Sequence, residues 1–111
     1  MERDQRFMNI VIQYTEECPN VDEAEERVRD VLRSLGMTAE LRREVVRTAD
    51  DAQRLSFPGS PTILVDGIDL FPTPVPTTGL VCRFYDIADG PIGTPSPEQL
   101  VDALKRRSEQ R

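Results

Sequence analysis

The stretch from Phe7 to Leu35 constrains the fold of this chain more than any other. Met8-Asn9-Ile10-Val11-Ile12-Gln13-Tyr14 is rich in β-branched and aromatic residues, which suit a buried, pleated strand. Thr15, Glu16 and Glu17 leave that strand, and Cys18-Pro19 follow. Val21, Ala24, Val28, Val31, Leu32 and Leu35 then recur at three-and-four spacing, which is one face of a helix. Gly36 is the stop, because glycine tolerates the left-handed conformation that ends a helix. Proline suits the first helical position, where its missing N–H is not needed, so the helix is expected to open at Cys18-Pro19. The Cys18 thiol then faces the positive end of the helix dipole, which favours the reactive thiolate. Glu16 and Glu17 act against that, since nearby negative charge disfavours a second anion.

The rest of the chain alternates elements in the same way. Thr38 to Arg47 reads as a strand with one partly solvated face, suited to a sheet edge. Thr48 to Leu55 reads as a short helix with Thr48 as N-cap and Asp50 and Asp51 near the dipole's positive end. Ser56-Phe57-Pro58-Gly59-Ser60-Pro61 holds two prolines and a glycine, so it is a loop. Thr62-Ile63-Leu64-Val65 and Ile68-Asp69-Leu70-Phe71 flank Asp66-Gly67, a strong hairpin signal. Pro72 to Gly79 is irregular, Leu80 to Tyr85 alternates as a short strand would, and Asp86 to Pro95 is rich in turn residues. Ser96-Pro97-Glu98-Gln99 has the form of a capping box with proline at the first helical position. Leu100, Val101 and Leu104 supply the buried stripe of the last helix.

At 111 residues the chain is expected to form one α/β domain over residues 1–111, with a mixed sheet of about four strands flanked by helices. A net charge of −6 argues against nucleic acid as a partner. No apolar run approaches the ~20 residues of a membrane helix, and the charged start is unlike a signal peptide. A cytoplasmic setting is therefore expected, where thiols stay reduced. With no histidine, Ser-His-Asp and Cys-His mechanisms have no general base here. No cofactor or resident metal is expected, and chemistry falls to Cys18, Cys82, carboxylates, hydroxyls or backbone groups.

Two local segments carry a family resemblance. One is the turn Tyr14-Thr15-Glu16-Glu17-Cys18-Pro19-Asn20 between the first strand and helix; the other is Gly59-Ser60-Pro61-Thr62 before the hairpin. With the element order, they make the chain resemble the thioredoxin superfamily from about Phe7 to Arg107. It looks most like small bacterial members that also carry a segment such as Gly79-Leu80-Val81-Cys82-Arg83, some named for a link to organomercurial lyase. The resemblance implies a cis bond before Pro61, facing the active cysteine, with Pro19, Ser60 and Pro61 shaping a substrate groove and the Ser60 backbone free to pair with substrate. The chain departs from the family at Cys18-Pro19-Asn20-Val21, where the second cysteine of Cys-x-x-Cys is a valine. The ordinary local dithiol cycle is thus excluded. Cys82 is the one other thiol that could resolve a mixed disulfide, although Leu80, Cys82 and Phe84 on one strand face equally describe a core cysteine.

Three readings stay open at this point. The first is thiol–disulfide exchange or adduct chemistry at a partly exposed Cys18, with a thiol- or disulfide-bearing protein or small molecule as partner. The second is a binding module that keeps the scaffold without the redox cycle. The third is soft-metal capture by Cys18 and Cys82. The edge strands and the apolar segment 70–85 leave room for a homodimer.

Overall fold

A computed structural model of the chain describes residues 8–72, 79, 85–87, 90–92 and 94–109. The elements in order are β1 (Met8–Tyr14), α1 (Val21–Leu35), β2 (Ala39–Val45), α2 (Ala49–Arg54), β3 (Thr62–Val65), β4 (Ile68–Asp69), β5 (Tyr85–Ile87), β6 (Gly90–Ile92) and α3 (Pro97–Glu109). A four-stranded mixed sheet runs in the order β2-β1-β3-β4, and β5 and β6 form a separate antiparallel pair.

β1 is bonded on both sides. It runs parallel to β2 from Met8↔Ala39 to Tyr14↔Val45 and antiparallel to β3 through Ile10↔Val65 and Ile12↔Ile63. The β3–β4 hairpin turns at Asp66 and Gly67 with φ of 53° and 85°, the positive values a type I′ turn demands. Asp66 closes that turn onto β1, donating its N–H to the Asn9 carbonyl at 2.8 Å and accepting the Asn9 N–H on its carboxylate at 3.1 Å.

One face of the sheet is the core. Met8, Ile10 and Ile12 of β1 and Ile63 and Val65 of β3 are fully buried against Val28, Val31 and Leu32 of α1 and Leu100 and Leu104 of α3. Burying each such side chain contributes about 1.5–3 kcal/mol, so this layer is the main driving force of the fold. A smaller cluster of Val46, Ala52 and Phe57 anchors α2. The opposite face carries Asn9 and Val11 of β1, Glu40, Arg42 and Glu44 of β2 and Leu64 of β3, which line a shallow depression of about 480 Å³.

Polar links fix the helices. Arg43 of β2 bonds Asp22 at 2.8 Å and Glu25, both on α1, and Glu25 also accepts from Arg29 at 2.9 Å. The Arg43 guanidinium holds the Glu25 carboxyl below its usual value; partial burial opposes this and Arg29 reinforces it. Arg27 of α1 donates from Nη1 to Thr94 Oγ1 and to the Pro95 carbonyl, both at 2.9 Å, tying α1 to the segment that enters α3.

The structure differs from the sequence reading at several boundaries. The returning hairpin strand stops at Asp69, because the Asp69 carboxylate accepts the Phe71 N–H at 2.9 Å and turns the backbone away. Segment 86–95, read as turns, contains most of a small hairpin, with Tyr85↔Ile92 and Ile87↔Gly90 paired. Of the strand expected over Leu80 to Tyr85, residues 80–84 lie outside the described residues. The capping box at α3 is present: Gln99 N–H donates to Ser96 Oγ at 3.1 Å, and the Gln99 side chain accepts the Ser96 N–H at 2.9 Å. Among the described residues, no helix is long and apolar enough to cross a membrane.

Two stability measurements follow from these links. Ser96→Ala removes the acceptor of the α3 cap and is expected to lower unfolding free energy by about 1 kcal/mol in urea titrations. Glu25→Gln removes a carboxylate whose folded pKa is depressed, so its stabilisation is full above the ordinary value of 4.5 and is lost as pH falls through the lower folded value. Wild type and Glu25→Gln should therefore differ in stability at pH 7 and converge at strongly acidic pH; a difference that persists unchanged into acid would contradict the ion-pair account.

Candidate functional site

The site candidate is the turn between β1 and α1. β1 ends at Tyr14, whose carbonyl accepts the Val46 N–H at 2.7 Å just beyond β2. The next N–H, of Thr15, points to the other side and donates to Ser60 Oγ at 3.1 Å. The turn is thus fastened on one flank to the end of β2 and on the other to the loop that precedes β3. Cys18 closes the turn by donating its N–H to the Thr15 carbonyl at 3.1 Å.

Helix α1 starts later than the proline suggested. Its N-cap is Asn20, with φ −105° and ψ −3°, and the Asn20 carbonyl accepts the Ala24 N–H at 3.0 Å. Pro19 therefore stands outside the helix, exposed, and Cys18 lies two residues before the cap. The Asn20 N–H donates to Cys18 Sγ at 3.4 Å, so the sulfur does meet a donor from the helix entrance.

The expectation of a partly exposed thiol is corrected. Cys18 retains 9% of its accessible surface and counts as buried. Closing the 15–18 turn folds the side chain inward, where the Asn20 amide meets it. What approaches the sulfur must be small, extended, or able to displace the turn. Beside it, Thr15, Glu16, Glu17, Val46 and Arg47 line a cleft of about 300 Å³. Its rim carries an exposed Glu16–Arg47 ion pair at 3.3 Å, worth little in stability.

The loop that holds Thr15 has an unusual backbone. Ser56 and Gly59 have φ of 52° and 141°, and the Ser60–Pro61 peptide is cis. Phe57, fully buried with Val46 and Ala52, pins this loop to the end of β2. Thr62 Oγ1 donates to the Gly59 carbonyl inside the loop. Ser60 is fully buried and Pro61 is buried beside it. The expectation of a free Ser60 backbone is also revised, since Ser60 takes part in an isolated backbone bridge and its hydroxyl holds Thr15. Its role in the structure is to position the turn. The periodicity of the sequence could not show this link, because it joins residues 45 positions apart through one hydroxyl.

Cys82 lies outside the described residues. Gly79, three residues before it, donates its N–H to the Phe57 carbonyl at 3.2 Å, in the loop whose Ser60 holds Thr15. Among the described residues, no group of three or more Cys, Asp or Glu side chains is arranged to hold a metal ion. No family model matches this chain, and no curated protein matches it in sequence.

Proposed function

We propose that the chain is a thioredoxin-like protein that acts through single-thiol exchange at Cys18. The order of elements and the β2-β1-β3-β4 sheet, with β1 parallel to β2 and antiparallel to β3, support the fold reading. The observation that carries the functional reading is the Asn20 amide donating to Cys18 Sγ at the entrance of α1, in a turn fastened to the loop of the cis Ser60–Pro61 peptide. In the exchange the Cys18 thiolate attacks one sulfur of a disulfide. A new S–S bond forms to that sulfur, the old S–S bond breaks, and its electron pair leaves with the second sulfur as a thiolate. Val21, in the place of a second local thiol, is buried in the core and cannot complete a cycle. Release of the adduct then falls to an external thiol or to Cys82. Pro19, exposed like Glu16 and Glu17 of the same turn, is an apolar contact for an extended partner, whereas the buried Ser60 and Pro61 shape the site from behind. Such chemistry suits a reducing, cytoplasmic setting.

The 9% exposure of Cys18 favours a second reading, a binding module in which the sulfur is a packing atom. The two separate in a Cys82→Ser protein incubated, natively folded, with a small neutral disulfide such as hydroxyethyl disulfide. Single-thiol exchange predicts a mixed-disulfide adduct by intact mass, reversed by dithiothreitol and absent from the Cys18→Ser/Cys82→Ser protein. An adduct that forms only once denaturant unfolds the chain would leave the binding module. Faster loss of the adduct from wild type than from Cys82→Ser would assign the resolving step to Cys82; equal rates would assign it to an external thiol.

A further inference from the structure

We propose that β2 is a dimerisation edge, at which two copies of this chain join their sheets antiparallel about a two-fold axis centred on Leu41. The inference does not depend on the chemistry of Cys18.

Hydrogen bonds to β1 fix the phase of β2. Met8 N–H donates to the Thr38 carbonyl, and Val46 N–H donates to the Tyr14 carbonyl. In a parallel ladder with the register Met8↔Ala39 through Tyr14↔Val45, the backbone groups of residues 38, 40, 42, 44 and 46 therefore point to β1. Those of Ala39, Leu41, Arg43 and Val45 point outward, because among the described residues β2 is at the edge of the sheet. A second strand can continue the ladder only in registers that set these odd residues opposite one another.

Charge then separates the registers. Glu40 and Arg42 sit on the open sheet face beside Asn9 and Val11, and both are exposed. Neither carboxylate nor guanidinium has an ion-pair or hydrogen-bond partner among the described residues. Their neighbours are already engaged: Arg43 with Asp22 and Glu25 across the core face, and Glu44 with the Gln13 side chain at 2.9 Å. With Leu41 opposite the partner's Leu41, Glu40 meets the partner's Arg42, and the symmetry repeats the pair. These fall at non-hydrogen-bonded positions, where facing side chains come closest. Shifting so that Arg42 faces Arg42 sets like charges opposite and places Glu40 against Glu44. Centring on Arg43 sets that residue against its own copy. Exposed charges commonly protect an edge from indiscriminate pairing. Here the same charges, arranged acid–apolar–base over Glu40, Leu41 and Arg42, are self-complementary in one register.

Sedimentation velocity over a concentration series tests the proposal. Wild type is expected to show a monomer–dimer equilibrium that weakens with added salt. Glu40→Arg and Arg42→Glu, each placing two like-charge pairs across the axis, are expected to raise the dimer dissociation constant about tenfold or more. Glu40→Arg/Arg42→Glu together exchange the charges and should restore wild-type dimerisation. Circular dichroism of each variant separates loss of the dimer from loss of the fold. A protein monomeric at every accessible concentration, or a dimer indifferent to the single reversals, would overturn the assignment.

Discussion

The structure depends on a strand that is bonded on both flanks and buried on one face. With β2 and β3 fixed to its two sides, β1 has no freedom of register. A slip of one residue would carry Met8, Ile10 and Ile12 to the opposite face and replace them in the core with Asn9, Val11 and Gln13. At about 1.5–3 kcal/mol for each lost apolar side chain, such a slip would cost a large part of the stability of a domain this size. The register in turn fixes where β1 ends, and hence which residue first enters the turn that holds Cys18.

From that end the backbone is gripped twice. Val46 N–H holds the Tyr14 carbonyl from the β2 side, and Ser60 Oγ holds the Thr15 N–H from the β3 side. Two adjacent backbone groups thus convert the rigidity of the sheet into a fixed placement of the turn. In the same arrangement Cys18 is buried, with 9% of the residue's surface exposed. Positioning and access oppose each other here. Under the proposed exchange, a site so held favours a small or extended disulfide over bulky ones.

Much of this frame was legible in the sequence because it rests on local rules. The apolar periods of β1 and α1, the Thr48 cap, the Asp66-Gly67 turn and the Ser96–Gln99 box each depend on residues within a few positions of one another. What local rules do not show depends on pairs far apart in sequence. The Thr15–Ser60 link and the Arg27–Thr94 link join segments 45 and 67 residues apart, and no period announces them. Pro19 misled for a related reason: a proline fits the turn before an N-cap as well as it fits the first helical position, and Asn20 beside it competes for the cap. The burial of Cys18 follows from how the turn folds back, which the order of residues does not specify. The small β5–β6 pair is hidden by its own glycine and proline content, since Gly90 and Pro91 stand within a strand of only three residues.

The turn of Cys18 is held by the loop of Ser60, and amide hydrogen exchange tests that most directly. In wild type the Thr15 amide should be protected, together with that of Cys18. In Ser60→Ala the Thr15 amide should lose its protection while Ile10 and Ile12 in the same strand keep theirs. Thr15 exchanging at the rate of an unfolded chain in the wild-type protein, or remaining equally protected after Ser60→Ala, would contradict it.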